Sequence, residues 1–426
     1  MPERPLRVLF VAPDCNPQWH SLPALVANYY RALSRVAEVT LATQVRNEEN
    51  LAAFVPPGAA VEYLDTESVA GPVHRLTQKL VPDPNQAMTL RVALRYPSSM
   101  AFEHAVWKRF QPRLDAGDFD VVHRASPMSP VVPSPLMVWS PVPGVVGPVL
   151  GALKWPKVFQ QEMRREREWM NYLRPAHKLL PYYRSGYRNA AAILAGYPHT
   201  VNDLPQENRD RIIEFSEGGV STADFPERTH APYDRATVLF VGRMVPFKQP
   251  EVLVRAFEAS PTLQRHRLVM VGDGPELPRL QAIVDDAGLG HCVTLTGTLP
   301  FDEVMAQMYA AQIFGFPSIR EQGGGVIHLA AMASVPSVVV RYGGPAHRVP
   351  EGTGVRVPLG GFEALVGSFR RELEALVDAP DRIARMGKAA RAYTARVYDW
   401  DRKAAKTVEI YEWVLGRRRQ KPDFYA

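Results

Sequence analysis

Cysteine is almost absent from this sequence of 426 residues. Only Cys15 and Cys292 occur, far apart along the chain, and this excludes a disulfide framework or a cysteine metal cage as the organising feature of the fold. So little cysteine fits a reducing compartment, and we expect a cytoplasmic protein.

Long hydrophobic runs are also lacking. The uncharged residues 131–153 contain five prolines, which would break a membrane-spanning helix repeatedly. The apolar run that follows Arg7 ends at Pro13 and is too short for the core of a signal peptide. We therefore predict neither a transmembrane segment nor a signal peptide.

Several ligand-binding signatures are missing. There is no CxxC pair, no aromatic RNA-binding motif and no long basic arm, so we expect no nucleic-acid partner. The turn 12–17 contains no glycine, which argues against a dinucleotide fingerprint there. Asp118 and Asp120 form a DxD triplet, a metal signature of some transferases, but they stand where a polar turn enters a strand. We predict no metal site and no cofactor.

The remaining composition is that of a soluble α/β protein. The chain is 46% hydrophobic and 22% charged, with a net charge of +6, and its length exceeds that of one ordinary domain. Apolar strand-like runs alternate with helix-like stretches, as in parallel sheets that are covered on both faces. Strands are predicted in the first half at 7–12, 38–43, 60–64, 119–123, 136–139, 192–195 and 211–215.

A second alternating pattern begins after a stretch rich in glycine, serine, proline and charge. Strands are predicted there at 237–242, 267–272, 293–296, 313–317 and 337–340, with helices at 250–260 and 277–287. We therefore divide the chain into an N-terminal domain (1–218), a linker (219–235), a C-terminal domain (236–394) and a closing helical segment (395–426). Both large domains are predicted to be doubly wound and Rossmann-like.

Ligands of open parallel sheets bind at the carboxyl ends of the strands. After the strand at 237–242 comes the loop 242–248 (GRMVPFK), in which Arg243 and Lys248 follow Gly242. A guanidinium and an ammonium together suit a diphosphate and the charge that a leaving nucleotide acquires. Two solvated surface cations are the plain alternative.

The loop 320–326 (REQGGGV) follows another buried strand and precedes a helix. Gly323, Gly324 and Gly325 would let the backbone approach a ligand closely. Glu321 would repel a bare phosphate, so we expect it to accept hydrogen bonds from sugar hydroxyls. We expect Arg243 and Lys248 to face this glycine-rich loop. His123, at the end of a first-half strand, is by position alone a structural histidine.

The sequence resembles the retaining glycosyltransferases of family 4. The segments that carry the resemblance are GRMVPFK, VGDGP, VTLTGTLP, FPSIREQGGGV and YGGP in the second half, and FDVVHRASPMSP, GPVLGALKWP and EGGV in the first. The resemblance implies the GT-B fold, in which two Rossmann-like domains face each other across a cleft that holds the active site. It implies that 1–218 is the acceptor-side domain and that 236–394 is the nucleotide-sugar-binding domain. It also implies that the closing helix, here 398–411, crosses back to the first domain.

The resemblance also implies roles for individual residues. Arg243 and Lys248 match the cations that hold the donor diphosphate, Glu321 matches the carboxylate that contacts the donor sugar, and His123 matches a histidine near that sugar. Catalysis would then involve these four residues. Donor binding would add Gly242, Leu299 (from the loop 296–300, beside the base), Gly323, Gly324 and Gly325.

Family members transfer sugar with retention and without a metal, usually pictured as a front-face displacement. This chain departs from the family pattern at one position that matters for the donor. Eight residues after Glu321, a second glutamate normally takes the ribose hydroxyls, and here that residue is Leu329. Residues 150–152 (LGA) and Arg341 also differ from close relatives. His328 is a candidate to compensate for Leu329.

The first hypothesis is therefore a retaining transferase that moves a sugar from a UDP or GDP sugar to a hydroxyl of a glycan, lipid-linked or secondary-metabolite acceptor. The alternative is a GT-B protein whose transfer activity is impaired or lost, and which binds a nucleotide or a partner. A third reading is an isomerase acting on the nucleotide sugar itself. The sequence leaves the oligomeric state open.

The segment 154–188 interleaves aromatic with basic residues. Such a face suits peripheral contact with an anionic inner membrane surface, or an acceptor groove. It equally suits an ordinary helix pair packed on the sheet, which is the reading that we favour.

Overall fold

The computed structural model of the protein describes residues 4–19, 21–81, 88–166, 176–228 and 233–425. The chain forms two compact units. The described residues of the first unit fall within 1–152, 167–219 and 400–426, and those of the second within 153–166 and 220–399. Within the described ranges, no helix is both long and apolar enough to cross a membrane.

Strands and helices alternate along the chain. The strands are β1 (Arg7–Val11), β2 (Glu38–Gln44), β3 (Ala60–Leu64), β4 (Val121–Arg124), β5 (Gly144–Val149), β6 (Ala192–Ala195), β7 (Ile212–Glu214), β8 (Thr237–Val241), β9 (Arg267–Val271), β10 (Val293–Gly297), β11 (Ile313–Phe316), β12 (Ser337–Val340) and β13 (Gly354–Val357). The helices are α1 (Leu22–Leu33), α2 (Glu48–Ala52), α3 (Glu67–Leu80), α4 (Met88–Leu94), α5 (Tyr96–Asp115), α6 (Leu136–Trp139), α7 (Gln160–Arg165), α8 (Tyr183–Asn189), α9 (Pro198–Asp203), α10 (Glu251–Glu258), α11 (Pro261–Gln264), α12 (Leu277–Asp286), α13 (Phe301–Ala310), α14 (Val326–Met332), α15 (Gly343–Arg348), α16 (Phe362–Val377), α17 (Pro380–Tyr398) and α18 (Trp400–Val414).

The first unit contains a seven-stranded sheet in the order β3-β2-β1-β4-β5-β6-β7, and its neighbouring strands pair in parallel. The central strands are almost wholly buried because helices cover both faces. All four residues of β4 are buried, and so are the last four of β1. Helix α5 contributes Phe102, Val106 and Phe110 to the core beneath this sheet.

The second unit contains a six-stranded parallel sheet in the order β10-β9-β8-β11-β12-β13. Strands β11 and β12 are buried along their whole length. On α10, Val252, Leu253 and Phe257 are buried in the same core as Phe369 of α16. Both units thus have the predicted doubly wound α/β architecture.

Both sheets reverse their strand order at one place. In the first, the chain runs outward from β1 to β3 and then returns to add β4 on the other side of β1. In the second, it runs from β8 to β10 and returns to add β11 beside β8. At such a reversal the loops after the two central strands diverge, and a crevice opens at the carboxyl edge of the sheet.

One predicted strand is wrong. Residues 136–139 form the helical turn α6, in which the Trp139 amide donates to the carbonyl of Pro135. A buried apolar run of four residues has no periodicity that distinguishes a strand from a helix. The strand of this region is β5, which the sequence prediction missed because glycine and proline within GVVGPV are untypical of a central strand.

The chain passes between the units at places that composition did not reveal. Residues 153–166 belong to the second unit, although the predicted first domain runs to residue 218. Their apolar side chains explain this, because Phe159 and Met163 are buried in the second unit's core. At the other end, α17 belongs to the second unit and α18 to the first, so that the crossing occurs at Asp399 and Trp400.

Helix α18 is built into the first unit beside α1. The Tyr29 hydroxyl lies 2.7 Å from the Thr407 hydroxyl. The buried ammonium of Lys403 donates to the carbonyls of Ser216 and Gly218, both at 2.6 Å, and lies 4.9 Å from the centre of the Phe215 ring. A buried cation needs such partners, so Lys403 fixes α18 to the loop after β7.

Candidate functional site

Two loops meet at the strand-order reversal of the second sheet. The Lys248 ammonium lies 2.5 Å from a carboxylate oxygen of Glu321, and the two side chains are 11% and 19% exposed. The same ammonium lies 4.8 Å from the centre of the Phe316 ring. An ion pair that is partly screened from water, over an aromatic face, interacts more strongly than one on the open surface.

Backbone contacts hold these loops together. Residues Pro246–Lys248 form a tight 3-10 turn, and Gln249 follows in the left-handed region at φ 49°. The Ile319 amide donates to the carbonyl of Phe247 at 2.9 Å. The loop after β8 and the loop after β11 are therefore one hydrogen-bonded structure, and the placement of Lys248 against Glu321 follows from it.

The glycine-rich loop is open where a ligand would need to approach. A side chain at Gly325 would meet no atom within 4 Å, and Gly324 adopts φ +76°. The inner side of the loop is closely packed, since a Cβ on Gly344 would lie 2.1 Å from the Gln322 carbonyl oxygen, and the Gly344 amide donates to the Glu321 carbonyl. Gly323 and Gly324 are buried and Gly325 is exposed.

Arg243 occupies a different environment from Lys248. Its side chain is exposed, with the guanidinium 5.9 Å from the centre of the Phe247 ring. No hydrogen-bond acceptor lies within reach of that guanidinium in the part of the chain that the structure describes. We expected both cations to face the glycine-rich loop. Lys248 contacts Glu321 of that loop, whereas Arg243 lies at the same edge of the sheet and its hydrogen-bond donors are available.

Close packing explains the glycines beside Arg243. A Cβ on Gly272 would lie 2.1 Å from the Gly242 carbonyl oxygen, and one on Gly274 would lie 2.5 Å from the Met244 carbonyl oxygen. The Met244 amide donates to the Asp273 carbonyl at 2.8 Å. Gly272 and Gly274 therefore serve loop packing.

Leu299 lies in the loop after β10, two strands from β8 in the sheet order. It is half-buried and packs on the edge of the second unit's core. The sheet order places it at the same carboxyl edge as Lys248 and Glu321.

His123 is buried within the first unit and has partners at both ring nitrogens. Its Nδ1 lies 2.6 Å from the Tyr411 hydroxyl, and its Nε2 lies 2.7 Å from the Gly147 carbonyl oxygen. Because a carbonyl can only accept, Nε2 carries the proton and Nδ1 accepts from the tyrosine. Burial lowers the pKa of His123 to about 4. The imidazole is therefore neutral at physiological pH and links β4 to α18.

The residue that replaces the expected second glutamate is part of the core. Leu329, on α14, is half-buried and packs against apolar neighbours. His328 does not compensate, because it is buried against the Tyr398 ring and lies 2.8 Å, through Nδ1, from the Arg348 guanidinium. This face of α14 therefore presents no carboxylate.

The DxD triplet has a structural role. Asp120 accepts hydrogen bonds from the Arg4 guanidinium and from the Arg7 amide. The pKa of Asp120 lies below its ordinary value, since partial burial raises it but these hydrogen bonds and the two arginine charges lower it further. Among the described residues, no group of three or more His, Cys, Asp or Glu side chains lies close enough to hold a metal ion.

The first unit contains a cavity that the sequence did not reveal. It has a volume of about 400 Å³ and lies at the strand-order reversal between β1 and β4, where the loops after both strands line it. Arg46, Arg91 and Arg95 contribute positive charge to its wall, and Asp14 contributes one carboxylate. The only sequence signal is that Arg91 and Arg95 stand one helical turn apart.

Comparison with known sequences finds a family match within the second unit. Residues 222–393 match the family model described as glycosyl transferases group 1. The chain is 32% identical over 197 residues to a GDP-mannose-dependent α-(1-6)-phosphatidylinositol monomannoside mannosyltransferase of Mycolicibacterium smegmatis, covering 43% of this chain and 49% of the relative. It is 28% identical over 236 residues to a D-inositol 3-phosphate glycosyltransferase of Streptomyces griseus, covering 51% and 49%. The chain thus matches about half the length of these relatives.

Comparison with solved structures covers nearly the whole chain. Sucrose-phosphate synthase of Thermosynechococcus elongatus superposes with a TM-score of 0.65 at 19% identity, over 97% of this chain and 100% of that one. HepE (Alr3699) of Anabaena, in complex with UDP and glucose, superposes with a TM-score of 0.61 at 16% identity, over 95% and 98%. The protein therefore has the two-domain α/β GT-B fold, and its second unit carries a segment that matches the group 1 glycosyl transferases.

Proposed function

We propose that the protein is a metal-independent retaining glycosyltransferase, which moves a sugar from a UDP or GDP sugar to a hydroxyl group of an acceptor. The observation that carries this proposal is the Lys248–Glu321 pair. It lies beside a glycine-rich loop, at the strand-order reversal of a sheet whose segment matches the group 1 glycosyl transferases. The retaining course and the independence of metal come from the family resemblance of the motifs.

The ion pair fits the two halves of a sugar nucleotide. Glu321 uses one of the three ammonium donors of Lys248, and the other two remain for phosphate oxygens. A carboxylate disfavours phosphate beside it, so Glu321 accepts from sugar hydroxyls. Arg243 adds a second cation whose donors are available, and the open backbone at Gly325 leaves room for the diphosphate. Leu299 offers an apolar surface to the base.

The proposed chemistry needs charge stabilisation more than a protein nucleophile. The bond between the sugar C1 and the diphosphate oxygen breaks, the acceptor oxygen bonds to C1 on the same face, and the acceptor proton leaves with the departing phosphate. Lys248 and Arg243 would stabilise the negative charge that develops on the diphosphate.

The two hydrogen bonds of His123 oppose a direct contact with the donor sugar. Contact with the donor sugar, which the family resemblance implies, would require a sugar hydroxyl to replace either Tyr411 or the Gly147 carbonyl as its partner. Our proposal therefore relies on Lys248, Glu321 and Arg243, and treats His123 as a residue that positions β4.

A donor screen tests the proposal directly. The purified chain is incubated with UDP and GDP sugars, with and without a hydroxyl acceptor extract, and with EDTA in a parallel arm. We expect one donor to release its nucleotide in an acceptor-dependent manner, unchanged by EDTA, with retained anomeric configuration in the product. Absence of release from every donor, despite tight nucleotide binding in calorimetry, would contradict transfer.

That contrary result is what a second candidate function predicts. Leu329 supplies no hydrogen-bond acceptor for ribose, and His328 is engaged with Arg348. These observations favour a GT-B protein that binds a nucleotide or a partner without transferring sugar. Titration of UDP, GDP and ADP beside the donor screen distinguishes the two readings. An isomerase would instead convert the donor when no acceptor is present.

A further inference from the structure

The cavity of the first unit has the chemistry of a site for an acidic amphiphile. We propose that it binds the acceptor substrate, and that this acceptor carries an anionic group, such as a phosphate monoester, next to an apolar portion. The inference rests on the proposed transferase function and defines the class of molecule that receives the sugar. It follows from three features of the cavity: its fixed walls, its charge and its apolar surface.

A buried polar network fixes the loop after β1, which forms one wall. Asn16 and Asn47 are fully buried. Asn47 donates to the Pro13 carbonyl at 2.8 Å and to the Thr43 hydroxyl at 2.9 Å, and Asn16 donates to the Asn47 side-chain oxygen at 3.3 Å. Satisfied polar networks of this kind make a loop rigid, so Asp14 and Trp19 of this loop have defined positions.

A buried ion pair fixes the loop after β4, which forms a second wall. Arg124 is fully buried and donates to the carbonyls of Pro127 at 2.8 Å and Val132 at 2.6 Å, and to Glu103 at 3.3 Å. Glu103 also accepts from the Ser134 hydroxyl at 2.7 Å. The loop therefore holds its shape without a ligand, and the cavity is a preformed one of the size typical for small-molecule sites.

A third wall consists of a helical face that carries positive charge. Arg91, Arg95, Ser98 and Ser99 recur at the spacing of one face along α4 and the start of α5. Arg95 is the cation with donors to spare. The nearest carboxylate oxygen, on Asp14, is 3.9 Å from it, beyond hydrogen-bond distance, and its side chain is 60% exposed.

The other charges of the cavity are already engaged. Arg46 pairs with Glu67 through a hydrogen bond of 2.7 Å, and Arg91 donates to the Val81 carbonyl at 2.9 Å. Since Glu67 offsets the charge of Arg46, the positive excess comes from Arg91 and Arg95 against the single carboxylate of Asp14. A planar guanidinium with its donors available matches the oxygens of a phosphate or carboxylate.

Apolar side chains complete the lining. Val26 and Val73 come from α1 and α3, Val92 from α4, and Met128 and Val132 from the loop after β4. Val73 and Val92 are only half-buried. A free phosphate or a highly polar sugar phosphate would leave these two side chains partly in water, whereas an alkyl or aromatic portion would cover them. The lining therefore suits a ligand that has both an anionic group and an apolar portion. A membrane-derived lipid and a soluble acidic metabolite both belong to this chemical class.

Matched probes test this assignment on the full chain. Octyl glucoside 6-phosphate, octyl glucoside and glucose 6-phosphate share the same hexose and differ only in phosphate or octyl chain. Calorimetric titration below the micelle concentration is expected to show the phosphorylated amphiphile binding at least about tenfold more tightly than either other probe. Equal binding of octyl glucoside would refute the anion site, and equal binding of glucose 6-phosphate would refute the apolar portion.

Two variants locate the binding. Arg95→Gln should weaken the phosphorylated amphiphile about tenfold or more and leave octyl glucoside unchanged, whereas Lys108→Gln removes one positive charge from the exposed face of α5, outside the cavity, and should change neither. Equal effects of the two variants would refute the role of Arg95. Thermal melting confirms that both variants are folded.

Further experiments distinguish a lipid ligand from a soluble one, and failure of this inference from failure of the proposed transferase function. Binding of the amphiphile from vesicles that contain it, as tightly as from solution, indicates a lipid acceptor, and binding from solution alone indicates a soluble one; either supports the assignment. The probe titration needs no donor, so it stands if nucleotide release fails. The contrary result is nucleotide release that depends on a neutral acceptor and is unchanged by Arg95→Gln. That result would overturn this inference but would leave the proposed transferase function standing.

Discussion

The two sheets each have an ion pair near the carboxyl edge, and the two pairs have different environments. In the first unit, Arg124 and Glu103 are 1% and 3% exposed, and their remaining partners are backbone carbonyls, an amide and a hydroxyl. In the second, Lys248 and Glu321 are 11% and 19% exposed and border an open glycine. A fully buried pair whose partners are all protein atoms holds a loop, whereas a partly exposed pair retains donors for a ligand.

The largest effect on stability is expected from breaking the buried pair. Arg124→Met leaves the Glu103 carboxylate without its charge partner and frees two carbonyls, so the free energy of unfolding should fall by about 3–5 kcal/mol. Chemical denaturation measures this. The double variant Arg124→Met/Glu103→Leu should recover part of the loss, because no buried charge remains. A single variant as stable as the wild type would contradict the structural role of the pair.

Breaking the partly exposed Lys248–Glu321 pair should affect activity instead. Lys248→Ala is expected to lower the rate of nucleotide release about 100- to 1,000-fold, as loss of one stabilising donor does. The free energy of unfolding should fall by less than for the buried pair, because water still reaches the carboxylate that is left without its partner. Lys388→Ala, an exposed lysine on α17 of the same unit, serves as the control. Comparable release from Lys248→Ala and Lys388→Ala would remove Lys248 from the proposed mechanism.

The buried histidine of the first unit predicts a dependence on pH. The folded-state pKa of His123, about 4, lies below the value of about 6.5 for an exposed histidine. Below about pH 6.5 the unfolded chain therefore binds a proton that the folded chain does not, and stability is lost as the pH falls. The loss should approach about 1.4 kcal/mol per pH unit between the two pKa values.

The contribution of His123 is measured as a difference between two proteins. Wild type and His123→Gln are denatured with urea at pH 7 and pH 5, and glutamine is chosen because it can both donate and accept at this site. The wild type should lose more stability between the two pH values. Parallel pH profiles would show that His123 is not the group responsible.

The smallest effect is expected at Leu329, and its sign shows whether the ribose binds beside α14. Leu329→Glu restores a carboxylate where the family has one. If ribose binds there, the affinity for UDP or GDP should rise up to about tenfold, the worth of one charge-assisted hydrogen bond less the apolar contact that is lost. Calorimetry measures it, with Leu329→Gln as the uncharged control. Unchanged or weaker nucleotide affinity in both variants would place the ribose elsewhere.

The sequence predicted the features that depend on neighbouring residues. Strands such as β3, β6 and β12 agree with their predicted bounds because apolar runs between turns are a local signal. The GT-B fold was also predicted, through motifs spread along the chain. The strand β5 was missed because its glycines and proline oppose the local signal, and α6 was misread because four residues show no period.

Features that depend on distant residues could not be predicted. The association of residues 153–166 with the second unit, the second hydrogen bond of His123 and the cavity all require segments far apart in sequence to meet. The pairing of Lys248 with Glu321 is the intermediate case. Its residues were singled out from their loops, and the sheet order then explains why those loops meet. The segment 154–188, assigned above to a packed helix pair or a membrane face, falls partly outside the described residues, at 167–175.

The return of α18 to the first unit has a consequence for biosynthesis. The Tyr411 hydroxyl contacts His123, and the Lys403 ammonium donates to the loop after β7. These partners are synthesised 288 and 187 residues earlier. During synthesis the first unit therefore stays incomplete until α18 has been made. The last residue of the second unit is residue 399, so the second unit can fold before the first is complete. The order of synthesis and the order of completion are opposite.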